Sequence, residues 1–485
     1  SAASDVYKRQ VENLQSEGLY YVDLLDAGDL ASDPINTEDI WVSFDFSGRD
    51  LSGNIILTRN ADDAVLAGSF SKYTHYVPFY RYCGSENSGL MEGTWLAMRR
   101  TLTLGDTYFR NNKDRLGITS PEVTLRYGSK IRLYMPSSVV GNGVEGTGGY
   151  EGQEGYSLSS KRPFIVTMEI RDTVSNPLER EGTDVDDFCE LNGGLQIYSK
   201  GDDDTPATEV PEDPEDPEHP YNETSKRWVS ACDSIPQVYV NVRYNPAEPR
   251  DQLSFPAPYH VGYEPYVSEA SVRDIDMQIA EALKKRFHGE GDDYQKYEGV
   301  KALEADSVTL DGTAKIWYIG RFLDGFIFDT NIDEVKKIIY GEVAQKGTAL
   351  DYTPSSGGMI QAFYYTIPNL KFGQWAELIT TSTNAYGSSG KSGSSSSSTS
   401  GSSGYSSSYL DYLNYLNYAN SYYGSGGYYG GYYGGYYGNY YGGYYDSMYG
   451  YGYDSSSTGT TVTTITTEIP SFTPLIFQLY IEPED

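Results

Sequence analysis

Residues 316–329 read IWYIGRFLDGFIFD and contain two strand-like segments around a tight-turn dipeptide. Aromatic and β-branched residues fill both segments, and Asp324-Gly325 between them is a pair that short hairpin turns favour. The second segment ends in Phe328-Asp329, so a carboxylate directly follows an aromatic ring. The sequence therefore predicts a β-hairpin that carries several aromatic side chains and one acid.

Two later segments accompany this hairpin in a fixed order. Residues 371–387, KFGQWAELITTSTNAYG, lead from a strand pattern into Ala-Tyr-Gly, and residues 469–477, IPSFTPLIF, enter a final strand. The three segments resemble the motifs Y-x-G-x-x-x-D-G-x-x-F-D, A-Y-G and I-P-x-x-x-x-L-x-F of the FKBP family of peptidyl-prolyl cis-trans isomerases. Each motif is short, but their order along the chain strengthens the resemblance.

The resemblance implies an α+β fold for residues 301–485, in which a bent antiparallel β-sheet wraps on a short helix around an apolar pocket. Carried over position by position, it assigns catalytic roles to Tyr318, Asp329 and Tyr386. It implies that the substrate pocket is formed by Phe328, Met359, Ile360, Phe363, Ile469 and Phe477.

Such a pocket suits the chemistry of prolyl bonds. Rotation about an X–Pro bond must break amide resonance, and the barrier is about 18–20 kcal/mol. The twisted amide is less dipolar than the planar one, so a dry aromatic pocket favours it. The resemblance implies that the Tyr386 hydroxyl and the Ile469 backbone N–H hold the substrate carbonyl, while Asp329 orients Tyr318. Neither a metal nor another cofactor is expected.

Three features depart from the family pattern. Phe363 stands where the family usually has a tryptophan, and Glu334 stands where an arginine often pairs with the pocket aspartate. We expect Glu334 to repel Asp329. A Tyr/Gly/Ser-rich insertion at about residues 388–467 replaces a short loop at the pocket rim. Its Tyr-Tyr-Gly-Gly repeats at 428–446 lack aliphatic residues that could form a core, which predicts a mobile segment.

Residues 18–172 repeat the same plan in a degenerate form. They begin with a strand pattern at 18–22 and carry strand-like segments at 40–44, 127–136 and 162–170, and residues 46–53 parallel residues 318–325. Polar groups are missing at the pocket positions, so a structural or protein-binding role is expected there. At the positions of Tyr318, Phe328, Asp329 and Tyr386 this copy has, in order, Phe46, Ile56, Leu57 and Gly141.

The whole chain of 485 residues is acidic, with a net charge of −32. This charge argues against nucleic acid as a partner. No run of about 18 apolar residues occurs, so no transmembrane span is predicted. The predicted segments are a cloning-derived start at 1–10, the degenerate FKBP-like domain at 18–172, an acidic Pro-rich linker at 201–225, a connecting region at 226–300 with a helix at 268–288, and the FKBP-like domain at 301–485.

Tandem FKBP-like chains with acidic linkers resemble envelope proteins of Bacteroidetes-type bacteria, which are commonly lipid-anchored. The resemblance leaves two functions open. One is a prolyl isomerase and folding chaperone that acts on proline-containing, exported polypeptides in the periplasm or at the outer membrane, with any activity in the C-terminal domain. The other is a non-catalytic protein-binding or scaffold protein of the cell envelope.

The three cysteines leave alternatives open as well. Cys83, Cys189 and Cys232 lack the paired spacing of a zinc or redox motif. A single Cys189–Cys232 disulfide and three separate thiols both fit the sequence.

Overall fold

The structure, a computed structural model of the chain, divides into two compact units with a boundary between Pro177 and Leu178. Several predicted features lie outside the described residues: the cloning-derived start, the acidic linker, Gly141 and residues 392–466 of the insertion. The described residues are 21–68, 70, 73–87, 90–136, 143–144, 158–159, 163–196, 227–232, 235, 237–242, 244, 246, 274–288, 305–341, 343, 345–391 and 467–484.

The first unit combines antiparallel strands with three helices in the part of the chain that the structure describes. In chain order the elements are β1 (Tyr21–Ala27), β2 (Ile40–Arg49), β3 (Ile55–Thr58), α1 (Ala61–Ala67), β4 (Phe79–Cys83), α2 (Glu92–Arg99), β5 (Leu102–Thr103), α3 (Asp106–Leu116), β6 (Glu122–Val123), β7 (Ser129–Met135), β8 (Gly143–Val144), β9 (Leu158–Ser159) and β10 (Phe164–Val174).

The main sheet of this unit has the strand order β1-β7-β10-β2-β3, and β4 also pairs with β2. Buried and partly exposed residues alternate along β2 and along most of β10. Because successive side chains of a strand point to opposite faces, this alternation leaves one sheet face on the core and one toward solvent. Helix α2 contributes Leu96, Ala97 and Met98 to the core.

The second unit has a larger sheet and four helices within the described residues. Short helical turns cover Lys284–His288, Pro354–Ser356, Ile367–Asn369, Ser382–Asn384 and Gly387–Ser389. The main elements are α4 (Pro177–Leu191), β11 (Leu195–Gln196), β12 (Trp228–Ser230), β13 (Val238–Asn241), α5 (Asp274–Leu283), β14 (Ala314–Arg321), β15 (Ile327–Thr330), α6 (Asp333–Tyr340), β16 (Leu350–Tyr352), α7 (Gln361–Thr366), β17 (Trp375–Thr380) and β18 (Leu475–Ile481).

The sheet of the second unit has the order β11-β12-β13-β17-β18-β14-β15, and β16 pairs with β14. Its strands are antiparallel except for the short β11–β12 pair. Every residue of β17 and β18 is buried. The centre of this sheet is therefore covered on both faces, as expected for strands that are largely hydrophobic without alternation.

Two hydrophobic cores cover these two faces. The pocket core contains Ala362 and Phe363 of α7, and the opposite core contains Val185 and Phe188 of α4 together with Val335 of α6. The sequence resemblance implied only the layer with the short helix. Residues that the sequence assigned to a connecting region thus supply β12, β13 and α5 to this unit.

Helix α5 refines the predicted helix at 268–288. The helix covers Asp274–Leu283 and continues into a π-helical turn at Lys284–His288, while residues 268–273 lie outside the described part. Ile279 and Leu283, which lie one helical turn apart, are buried in the core opposite the pocket. The helix therefore packs in the second unit through this face. None of the helices in the described residues combines the length and apolar character needed to cross a membrane.

All three cysteines lie in described residues, and none forms a disulfide. Cys189 is fully buried in α4, where burial raises the pKa of its thiol well above the ordinary value. The structure therefore favours separate thiols over the Cys189–Cys232 bridge.

The two units share one strand order. The series β1-β7-β10-β2-β3 of the first unit corresponds to β13-β17-β18-β14-β15 of the second, with β4 and β16 in equivalent places. The hairpins also share their register: Gly48 faces Leu57, and Gly320 faces Asp329, each next to a β-bulge. This register supports the alignment of the degenerate copy with the C-terminal domain.

Candidate functional site

The β14–β15 hairpin sets the first part of the site. Gly325 has a φ of +91°, a conformation that L side chains rarely adopt, so the turn requires glycine at this place. The Asp324 carboxylate accepts the Phe326 N–H at 3.0 Å, and the Phe322 N–H donates to the Phe326 carbonyl at 3.0 Å. The predicted hairpin is therefore present, with Asp324 stabilising its turn.

The hairpin brings Tyr318 and Asp329 together. The Tyr318 hydroxyl donates to Asp329 Oδ2 at 2.9 Å, and the Asp329 side chain is exposed. Burial and the neighbouring Asp329 carboxylate raise the pKa of Tyr318 well above its ordinary value. The phenol therefore stays protonated near neutral pH, and Asp329 fixes the direction of its hydroxyl.

Asn331 supports this pair and was not found from the sequence. Its side-chain oxygen accepts the Tyr318 N–H at 2.8 Å, and its amide group donates to the Ile316 and Thr348 carbonyls at 2.9 and 3.0 Å. An asparagine just after a strand is common in turns, so its position alone gave little signal. In the fold it ties the Tyr318 backbone to the end of β15.

Phenylalanine rings form the wall beside the pair. The Phe477 ring lies 6.2 Å from Tyr318, 5.7 Å from Phe328 and 5.1 Å from Phe363, as measured between centroids, with steep interplanar angles. Edge-to-face geometry of this kind is favourable and fixes each ring. Phe322 and Tyr352 extend the wall and were also missed.

The structure brings all nine predicted site residues to this one region. Asp329 lies at the exposed edge, bonded to Tyr318. Partly buried residues of the pocket core are Tyr318, Met359 and Tyr386, and its buried members include Phe328, Ile360, Phe363, Ile469 and Phe477.

The role implied for the Ile469 N–H does not fit the structure. This N–H donates to the Lys391 carbonyl at 2.9 Å, and the Lys391 N–H donates back to the Ile469 carbonyl at 2.8 Å. The resulting β-bridge occupies the donor that was expected to hold substrate. The Ile360 N–H, at the entry to α7, makes no hydrogen bond with any described residue.

The expected repulsion between Glu334 and Asp329 is also wrong. Glu334 lies on α6, and its Oε2 pairs with the Arg286 guanidinium at 2.5 Å. Arg286 in turn stacks over the Trp317 ring, with 4.2 Å between its guanidinium carbon and the ring centroid. Trp317 belongs to the core opposite the pocket, so Glu334 is engaged on the other side of the sheet.

Tyr386 lies between two short helical turns, Ser382–Asn384 and Gly387–Ser389. Its ring is partly buried against the pocket core, and the Lys391 ammonium lies 5.5 Å from the ring centroid. The Tyr386 hydroxyl makes no hydrogen bond with the described residues. It is therefore available to a ligand as a donor.

At the corresponding described positions, the first unit has apolar residues in place of the polar pair. Phe46 and Leu57 occupy the places of Tyr318 and Asp329, and both side chains are buried in the core. Neither can donate or accept a hydrogen bond, so this pocket region lacks the groups that would orient a carbonyl.

Comparisons with known proteins give distant structural matches. No family model matches the sequence, and no curated protein matches it. The chain matches the three FKBP domains of wheat FKBP73 over 99% of its length and 97% of that chain, with 8% identity and a TM-score of 0.21. A peptidyl-prolyl cis-trans isomerase from Pseudomonas syringae matches with 13% identity over 36% of this chain and 94% of its own, at a TM-score of 0.20. FkpA from Escherichia coli matches with 11% identity over 36% of this chain and 59% of its own, also at 0.20.

Proposed function

We propose that the second unit binds X–Pro segments of polypeptides and catalyses their cis-trans isomerisation. The observation that carries the proposal is the Tyr318–Asp329 pair, held at 2.9 Å beside a wall of edge-to-face aromatic rings. A proline ring is apolar and fits an aromatic wall, while the amide carbonyl before it needs a polar contact at the edge. The site offers both within one core.

The chemistry requires no bond to be made or broken between protein and substrate. The pocket lowers the rotation barrier by favouring the less dipolar twisted amide in an apolar surrounding. The Tyr386 hydroxyl donates to the substrate carbonyl oxygen, since the described residues leave that donor unused. Asp329 accepts from Tyr318 and so keeps that phenol in a fixed rotamer beside Phe477.

Cis-trans exchange of a short X–Pro peptide, measured by NMR line shapes, tests this proposal. The intact chain should accelerate exchange over buffer. Tyr386→Phe should lower kcat/KM by about two- to tenfold, because one hydrogen bond contributes about 0.5–1.5 kcal/mol. Asp329→Ala should also reduce the rate, whereas Asp351→Ala, an exposed acid on β16, serves as the matched control. Absence of any acceleration by the intact chain would refute catalysis.

The Lys391–Ile469 bridge favours a second candidate, a domain that binds proline-containing segments without turnover. The bridge removes one backbone donor from the site, and fewer donors stabilise the twisted amide less. The same peptide separates the two functions. Saturable binding that Tyr386→Phe weakens, with exchange equal to buffer, supports the binding module.

We also propose that the clients are exported proteins and that the protein works in the cell envelope, as a chaperone with a lipid anchor. Support comes from the two units of similar strand order and from the segment at 201–225 that is rich in Asp, Glu and Pro, features that resemble envelope proteins. Fractionation of cells that express the native gene tests this setting. Recovery in the membrane fraction, lost when a lipobox cysteine of the native leader is mutated, is the expected result.

A further inference from the structure

Helix α4 precedes the acidic linker in sequence but packs in the second unit, and Glu181 is its inward-facing acid. The Glu181 side chain is only 2% exposed. One carboxylate oxygen accepts the Ser382 backbone N–H, and the other accepts the Ser382 hydroxyl at 2.7 Å. Burial raises the pKa of Glu181 to about 7, and only the bonds from Ser382 oppose that shift substantially. A buried acid with both oxygens on one residue is a specific tie.

A second contact fixes the neighbouring residue. The Thr381 N–H donates to the Gln237 carbonyl at 3.2 Å, and Gln237 has a φ of +59°, which is uncommon for a residue with a side chain. Helix α4 packs closely here, because a Cβ on Gly182 would lie 2.2 Å from the Gln237 amide nitrogen. Glu181, Gly182 and Gln237 therefore hold residues 381 and 382 from one side.

The held residues start the turn that leads to the pocket tyrosine. The Asn384 N–H donates to the Thr381 carbonyl at 3.3 Å, and the Ala385 N–H donates to the Ser382 carbonyl at 2.9 Å. Tyr386 follows directly, and its carbonyl accepts the Gly390 N–H at 3.2 Å. The path from Glu181 to Tyr386 thus runs through one short, hydrogen-bonded turn.

We propose that Glu181 is a positioning residue for the pocket, which fixes the place of Tyr386 through Ser382. This inference rests on the proposed function, in which Tyr386 donates to the substrate carbonyl. It differs from a role in docking α4 alone. A docking role alone would change the stability of the whole unit. A positioning role also requires that the effect of the Glu181 contact on peptide binding depends on the Tyr386 hydroxyl.

Hydrogen exchange of the full chain without ligand tests the structural half of the inference. Glu181→Ala should speed exchange of the Ala385 and Gly390 amides by about tenfold or more, with the β14 and β18 amides unchanged. Glu181→Gln keeps one acceptor oxygen and should restore most of the protection. Asp187→Ala removes an exposed acid from the same helix and should match the parent. Equal acceleration throughout the second unit would overturn the proposal.

A double-mutant cycle with an X–Pro peptide tests the functional half. Glu181→Ala should weaken peptide binding about fivefold in the parent and less than about twofold in the Tyr386→Phe background. Additive effects would overturn positioning. If Glu181→Ala does not fold, Ser382→Ala, which removes only the 2.7 Å contact, takes its place in both experiments. Hydrogen exchange is measured without ligand, so the two proposals can fail separately. Failure of all peptide binding would refute the proposed function, and the hydrogen-exchange result would still test whether Glu181 fixes the turn before Tyr386.

Discussion

The two units have the same strand order but cover their sheets differently. In the first unit one face of β2 points to solvent, whereas in the second unit β17 and β18 are buried throughout their length. The unit that keeps the Tyr318–Asp329 pair is also the one with a second helical layer. The comparison indicates that the polar pocket occurs in the unit whose sheet is also covered by helices on the face opposite the pocket.

Equivalent positions on the far side of the sheet show the same contrast. Arg49 and Arg321 stand at matching places in the two hairpins, and each pairs with an aspartate at 3.1 Å. The Arg49 and Asp63 side chains are 43% and 20% exposed, while those of Arg321 and Asp276 are 2% and 5% exposed. One ion pair is solvated and the other is part of the core.

The buried ion pair belongs to a row of polar groups that crosses four strands. Arg321 donates to Gln478 at 2.8 Å, Gln478 donates to Glu377 at 3.1 Å, and Asn241 donates to Glu377 at 3.0 Å. The Glu377–Gln478 pair has the register of Arg132 and Thr167 in the first unit. At these matching places Arg132 of the first unit is exposed, whereas Glu377 and Gln478 of the second unit are buried.

The largest expected effect comes from removing the buried Arg321–Asp276 ion pair, and it tests the contrast with the exposed Arg49–Asp63 pair. Asp276→Ala leaves the Arg321 guanidinium buried without its carboxylate and should destabilise the second unit by about 3–5 kcal/mol. Asp63→Ala removes the equivalent, more exposed pair together with the hydrogen bond from the Ser47 hydroxyl, and should cost the first unit less, about 1–2 kcal/mol. Native-state hydrogen exchange of β18 and β10 amides reads the two units separately. Similar losses in both would show that covering the sheet does not set the strength of the pair.

A smaller, pH-dependent effect comes from Glu377. Burial raises the pKa of Glu377 from 4.5 to about 8. Between these two pH values the folded unit keeps a proton on Glu377 that the unfolded chain has released. Stability from this group is complete below about pH 4.5 and is lost as the pH rises through about 8, with a slope of up to about 1.4 kcal/mol per pH unit.

Glu377→Gln should therefore reduce, without abolishing, the fall in β17 protection between pH 5 and 8, because Glu181 of the same unit has a pKa raised to about 7 and titrates in the same range. Asp351→Asn, an exposed acid in the same sheet, should leave that fall unchanged. A slope in Glu377→Gln equal to that of the parent would show that another group titrates.

The smallest effect concerns Glu334 and sharpens the comparison of the two sheet faces. Because its partner is Arg286 on the far side, Glu334→Gln should cost about 0–1 kcal/mol of stability and leave peptide isomerisation unchanged. Urea unfolding and the NMR exchange assay measure the two quantities. A faster rate in Glu334→Gln would restore the idea that Glu334 repels Asp329.

The sequence predicted the hairpin from a local pattern, whereas the aromatic pocket was implied by the motif resemblance. Asp324-Gly325 specifies the turn, and the register that follows places Tyr318 beside Asp329. The extension of the sheet by β12 and β13 was not predicted, since these strands have only three and four residues and show no alternation that would indicate a pairing partner. Pairing between β13 and β17 joins residues far apart in sequence.

The site details that were wrong share one physical cause. Glu334 and the Ile469 N–H were assigned by position in a motif, but their partners, Arg286 and the Lys391 carbonyl, lie in segments outside that motif. A donor or acid bonds whatever group the fold brings near it. Tertiary contacts of that kind cannot be inferred from a pattern of residues in one stretch.

The paired hydrogen bonds between Lys391 and Ile469 also define how the fold tolerates added sequence. They join Lys391 and Ile469, which flank the insertion, so these two residues stay side by side whatever sequence lies between them. For a flexible loop, each doubling of length costs only about 0.6 kcal/mol of closure entropy. We therefore expect this position to accept inserted segments of different length and composition while the pocket stays unchanged.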